Sequence, residues 1–191
     1  MLLALILIVV SAAWRVAGVH VPELSNFTPL MALTFCGAVY FRDRRLWLVP
    51  FGALLLSDLY IDRWYASHYG YEWHTSGAVI RLLCFAAALG IGRLVATRRS
   101  WANLLSGALG GSLLFYFVTN TAAWSGDAAY AGTAAGWWQA MTVGHPEFPP
   151  TLLFFRNTFV SDVVFTAAFA GVMELSARRA GQPSLLGKAT A

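Results

Sequence analysis

The sequence predicts an all-α integral membrane bundle of six transmembrane helices, both termini cytoplasmic, on three observations. First, the 191 residues are 58% hydrophobic and 12% charged, with a mean hydropathy of +0.61. A soluble domain carries about 25% charged residues. At half that share the chain cannot cover a water-facing surface, so much of it must face lipid. Second, apolar runs recur at lengths approaching the roughly 20 residues that cross a bilayer. Third, the basic residues gather between alternate runs.

The six runs are Met1–Val19, Thr28–Phe41, Leu46–Ile61, Ser76–Ala96, Trp101–Trp124 and Leu152–Ser176. Residues 1–180 form one domain and 181–191 a cytoplasmic tail. The first run has the apolar character of a secretory signal, but it lacks a basic n-region, and its removal would leave an odd number of helices; it is expected to stay. The second and third runs are read as separate helices because Arg42-Asp43-Arg44-Arg45 between them would be very costly at mid-membrane.

Charge placement gives the orientation. Arg42, Arg44, Arg45, Arg93, Arg98, Arg99, Arg178, Arg179 and Lys188 follow or close even-numbered runs, whereas only Arg15 and Arg63 lie near the alternate loops. By the positive-inside rule the first set is cytoplasmic. The net charge of +4 therefore reflects loop placement, and no solvated basic stripe suggests nucleic acid. Cys36 and Cys84 lie inside apolar runs and form no CxxC pair, which argues against a disulfide framework or zinc knuckle.

The outer loops, Gly18–Phe27, Asp62–Thr75 and Ser125–Thr151, then hold all four histidines, His20, His68, His74 and His145. They also hold Trp64, Tyr65, Tyr69, Tyr71 and Trp73, and Tyr130, Trp137 and Trp138. An aromatic belt is the plain explanation, but a belt appears on both faces, and the third loop is long for a compact bundle. A capped external binding site explains the lopsidedness better.

Beneath these loops, polar residues enter the helices: Asp58, Arg81, Arg156 and Asp162, with Asn26 and Thr28 opening the second run, Asn120 ending the fifth and Asn157 beside Arg156. Intramembrane charges are functional candidates because unpaired they are expensive. They read either as ion-paired glue, Asp58 with Arg81 or Arg156 with Asp162, or as the polar floor of a pocket. The inner halves instead carry small-residue stretches, Ala86–Gly92 and Ser106–Gly111, that let helices approach closely.

Cys84 lies roughly 12 Å below the outer boundary at about 1.5 Å per residue. Arg81, three residues before it, would favour a thiolate if the two groups meet, and a thiolate is a soft ligand for transition metals. A lone helical cysteine is otherwise a small hydrophobe, as Cys36 is expected to be.

The stretches Asn26–Pro29, Tyr40–Arg45, Leu56–Leu59, Phe117–Asn120 and Phe154–Thr158, set on six short helices with small-residue inner faces and a lidded outer end, resemble the substrate-binding S components of energy-coupling-factor (ECF) vitamin transporters. Within that group the chain is most similar to the solitary BtuM-type cobalamin transporters. The resemblance spans about Asn26 to Gly171. It implies a corrinoid captured from the outside of a bacterial inner membrane, with a cysteine that ligates cobalt, and Cys84 fits that role by depth. Asn26, Thr28, Asp58, Arg81, Asn120, Trp137, Trp138, Arg156 and Asn157 are then the expected ligand contacts, with His20 or His74 as alternative axial ligands. Thiolate displacement of a cobalt ligand would make the protein a reactive binder. Many S components carry an A-x-x-x-A-like patch on the inner half of the first helix. Here Leu2–Val10 lacks it, and Ala13 and Ala17 lie outward, so the expected partner is either an ECF-type energising module or none, the protein then acting alone. The rival readings are a transporter of another vitamin such as thiamine, with an inert Cys84, and an intramembrane enzyme pairing Cys84 with a loop histidine.

Overall fold

Every residue of α2 (Leu30–Tyr40) is buried, and this helix organises the fold. A helix apolar on all sides is stable only when surrounded. Around α2 pack α3 (Val49–Tyr69), α4 (Thr75–Val95), α5 (Trp101–Gly126) and α7 (Thr151–Arg179). The first helix, α1 (Leu2–Val19), lies against α3, and the short α6 (Ala134–Met141) lies against α5 and α7. This computed structural model describes residues 2–70, 75–184 and 186, and these are helical or in turns, without a strand. His74, Tyr71, Trp73 and Lys188 lie outside the described residues.

The close packing comes from particular glycines. A Cβ on Gly92 of α4 would lie 2.5 Å from the Phe35 carbonyl oxygen, and one on Gly107 of α5 would lie 2.7 Å from the Phe35 ring. At these points α4 meets the α2 backbone and α5 packs flush on the Phe35 ring, as small-residue faces permit. Gly90 and Gly110, in the same two stretches, face open space. Only part of each stretch makes the contact.

Outside this core the surface is also apolar. Leu59, Leu83, Leu94 and Val172 are each more than 60% exposed, and α2 alone among the long helices contributes no large exposed apolar residue. The helices α4, α5 and α7 are long and apolar enough to cross a membrane. An apolar exterior around an apolar core is the pattern of a protein whose solvent is lipid.

Phe51 meets Phe85 while Asp62 meets Arg81, so α3 and α4 run antiparallel, and Phe85 meets Phe115 while Val95 meets Gly107, so α4 and α5 do too; the bundle thus has an arginine end and a histidine end. At the arginine end, Asp43 accepts a hydrogen bond from the Arg45 amide and caps the 3-10 turn Arg44–Leu48. Trp47 donates to the Phe41 carbonyl, and the Arg93 guanidinium lies 5.0 Å over its ring. Past α7, in the segment expected to be a tail, the Ser184 hydroxyl and the Leu186 amide donate to Glu174, so this stretch folds back on the bundle.

Two elements depart from the sequence reading. The third helix runs on to Tyr69, well past Ile61, and stops at Gly70 with φ +63°. Polar residues such as Arg63 and His68 end an apolar run without ending a helix; the left-handed glycine does end it. The long loop before α7 contains α6, capped by Thr133, whose side chain accepts from the Gly136 amide. At eight residues α6 is too short to register as an apolar span.

Candidate functional site

At the histidine end, four charged side chains form one chain. Asp58 and Asp62 are one turn apart on α3 and share a face. Arg15 of α1 donates to Asp58 Oδ1 at 2.7 Å and to Ser57 Oγ at 2.6 Å. Arg81 of α4 donates to Asp58 Oδ2 at 2.9 Å and to Asp62 Oδ2 at 3.2 Å. Two cations and two anions thus balance within the bundle and tie three helices together. Arg15, which the sequence assigned to a loop boundary, completes the pairing expected of Asp58 and Arg81.

Above this network the segment 20–29 is held from several sides. Asn157 of α7 donates to the carbonyls of Glu23 and Ser25 at 2.7 and 2.9 Å, and Arg156 donates in turn to Asn157 Oδ1. Arg156 does not pair with Asp162 here. Trp14 donates to the Phe27 carbonyl, and Thr28 Oγ1 accepts from the Leu30 amide where α2 begins. Asn26 sits at φ +62°, a left-handed conformation that asparagine tolerates better than most residues. Between this segment, α1 and α3 opens a cleft with about 380 Å³ of space, its mouth included. Arg15, Asn26 and Thr28 supply its polar lining, and Phe27, Ile61 and Tyr65 its apolar walls.

Aromatic rings connect the loops over this end. His20 bonds the Tyr60 hydroxyl at 3.0 Å and meets Trp64 edge-on; Trp64 meets Tyr65, Tyr65 meets Phe148, and Phe148 meets His145, which faces Tyr130. Side chains far apart in sequence thereby join the first loop, the end of α3 and the third loop. Burial pushes the Tyr130 phenol above its ordinary range, with Asp127 adding to the shift, so it stays a neutral donor.

The other expected contacts lie elsewhere. Asn120 donates back to the Tyr116 carbonyl of its own helix. Trp137 donates to Thr121 Oγ1 and docks α6 on α5, whereas Trp138 is 63% exposed. Neither tryptophan nor Asn120 lines the cleft.

Cys84 heads the buried face of α4, with Phe85, Ala88 and Gly92, and is 2% exposed. It lines no part of the cleft, and the Arg81 guanidinium is engaged by Asp58 and Asp62. Cys36 is equally buried. None of His20, His68 and His145 hydrogen-bonds a cysteine, and no cluster of three or more His, Cys, Asp or Glu suited to a metal occurs among the described residues.

Deeper, between α2, α4, α5 and α7, lies a narrow interior cavity, too tight for a water molecule, walled by residues such as Met31, Phe35, Ala88 and Gly111, and bordered on α7 by Asp162 and Thr166. Asp162 accepts from Ser112 Oγ at 2.6 Å through Oδ2. Its Oδ1 and the Thr166 hydroxyl are buried without a hydrogen-bond partner. The sequence placed Asp162 in the helix but gave no sign that it would stand apart from every arginine.

Residues 1–185 match the model of a family of unknown function, DUF6580. No curated protein and no solved structure matches the chain.

Proposed function

The chain belongs to the DUF6580 family, and we propose that it is a six-span protein of a bacterial inner membrane, with both termini cytoplasmic, that captures a small organic ligand at its histidine end for uptake. The observation that carries this reading is the cleft under Tyr65. Apolar walls with a few fixed polar groups are the usual make-up of a small-molecule site, and here Arg15, Asn26 and Thr28 converge on one opening.

The six-span reading extends to α1, α2 and α3. At 11 residues α2 reaches about 16 Å, roughly half the hydrocarbon core. Non-helical backbone at membrane depth is tolerated when protein surrounds it. Its complete burial lets the segment 20–29 and the turn at 41–48 finish the crossing. Asp58 and Asp62 of α3 are neutralised by Arg15 and Arg81.

For the ligand we propose cobalamin, on the resemblance to S components, with Cys84 as cobalt ligand. The enclosed part of the cleft, about 50 Å³, is far smaller than the roughly 300–1,000 Å³ of small-molecule sites, and Cys84 is covered. Cobalamin capture therefore requires the segment 20–29 and the α3–α4 edge to move apart and uncover the thiol. Purified protein incubated with cobalamin and passed through a sizing column tests this directly. Co-eluting visible absorbance supports the assignment, and colourless protein at saturating cobalamin rejects it while leaving a smaller ligand for the cleft.

A further inference from the structure

Asp162 is the one described aspartate inside the bundle that meets no arginine. Its relative exposure is 1%, and that of Thr166, one turn along α7, is 0%. Eleven residues into α7, it lies about 17 Å along the helix from Thr151, near the middle. An uncompensated carboxylate there is among the most expensive groups a membrane protein can hold. Something must balance it.

The surroundings narrow the choice. From α5 come Ala108, Gly111 and the Ser112 hydroxyl; from α4, Ala88; from α2, Met31, Phe35 and Ala32, whose backbone amide also reaches the carboxylate. The titratable group set against Asp162 is the Cys36 thiol of α2, which also approaches Thr166. Tyr40 lies one turn beyond on α2, and Glu174 is about 18 Å along α7, bonded to Ser184 and Leu186. No basic side chain borders the cavity. A metal ion would need several oxygen ligands, but of the three buried unpartnered side-chain oxygens among the described residues, Asp162 Oδ1, Thr166 Oγ1 and the Tyr40 hydroxyl, only the first two border the cavity. The cavity is nowhere wide enough for a water molecule.

We propose that Asp162 is an exchangeable proton-binding site in the membrane interior, its proton carried on Oδ1, the carboxylate oxygen that no donor of the bundle satisfies. Binding converts the carboxylate and a proton from bulk water into a neutral acid; release returns the proton and leaves a charge that the apolar walls do not tolerate. Proton loss therefore loosens the contact of α7 with α2 and α5, and this coupling is available to drive movement of the bundle. The site is separate from the cleft and stands whatever ligand the cleft takes.

The test is infrared difference spectroscopy of the full chain in lipid, without ligand, across a pH series, with Asp162→Asn as the control. The wild type should show a buried carboxylic-acid carbonyl band, shifted in heavy water, that disappears as pH rises and is missing from Asp162→Asn. Thermal stability should fall over the same pH interval in wild type and stay level in Asp162→Asn, since the amide mimics the neutral acid. Should Asp162→Asn fail to fold, the wild-type band and its pH response still decide. Absence of any such band, a band unchanged throughout the series, or stability that follows sodium concentration instead of pH would each overturn the proposal.

Discussion

Arg15 and Asp58 meet at 2.7 Å across the α1–α3 contact, and the same carboxylate receives Arg81 from α4 at 2.9 Å. Asp58 is therefore the shared anion of two guanidiniums drawn from different helices. Replacing it with Asn leaves both arginines short of charge in a half-buried setting, where stripping one partner from a buried pair costs about 3–5 kcal/mol. Asp58→Asn should lower the thermal unfolding midpoint in detergent more than Arg81→Gln, which leaves Asp58 its bond to Arg15. Arg81→Gln also removes the 3.2 Å bond to Asp62, so equal effects would mean that this bond matters as much as the one from Arg15 to Asp58.

The two glycine-rich stretches give a sharper contrast. A side chain on Gly107 runs into the Phe35 ring, whereas Gly110 has nothing within 4 Å. Gly107→Leu should destabilise by at least the roughly 1–3 kcal/mol typical of overpacking and reduce the yield of folded protein. Gly110→Leu should be nearly neutral in the same thermal assay, its side chain adding to the apolar exterior.

That contrast marks what sequence reading reaches. The stretches Ala86–Gly92 and Ser106–Gly111 announce close helix contact by composition, but composition does not say which glycine faces α2. The rotation of each helix settles that, and Phe35 is the partner because α2 is central. Likewise Asp58 and Arg81 were legible as a pair because both are charges in apolar runs, while Arg15 was masked by its place near a helix end. Asn26, Thr28 and Asn157 do gather around the segment 20–29. Trp137 and Asn120 do not, since their hydrogen bonds are local to α5 and α6 and local bonds leave no periodic trace.

Orientation is open to a direct check. Reporter fusions after Arg45, Arg99 and Lys188 should read cytoplasmic, and fusions within residues 67–73 and 131–139 should read periplasmic, because nine basic residues follow or close even-numbered runs and two lie near the alternate loops. A periplasmic carboxyl terminus would reverse the proposed direction of capture.

Neighbouring tryptophans on α6 should behave differently. Trp137→Phe removes the donor to Thr121 and should cost about 1 kcal/mol in the docking of α6. Trp138→Ala, at an exposed position, should change stability by less than about 0.5 kcal/mol. If Trp138→Ala weakens ligand binding, α6 reaches the ligand. If it does not, Trp138 belongs to the membrane interface.

Cys84 and Cys36 offer a controlled comparison because both are buried thiols on helices of the same core. A serine in either place changes volume little, so a difference between the two variants reports chemistry. With a cobalt–thiolate bond at Cys84, wild-type protein given cobalamin should show a visible spectrum unlike that of the free vitamin. Cys36→Ser should keep the altered spectrum, and Cys84→Ser should lose it even where the vitamin still binds through contacts at the cleft. Timing adds a second criterion. Cys84 is covered on α4, so the spectral change should lag behind binding, and a disulfide clamp between the segment 20–29 and α3 should suppress the change. With cobalamin bound equally by both, identical spectra for wild type and Cys84→Ser would exclude the thiol and leave His20, held 3.0 Å from Tyr60 at the rim, as the described candidate for the axial ligand.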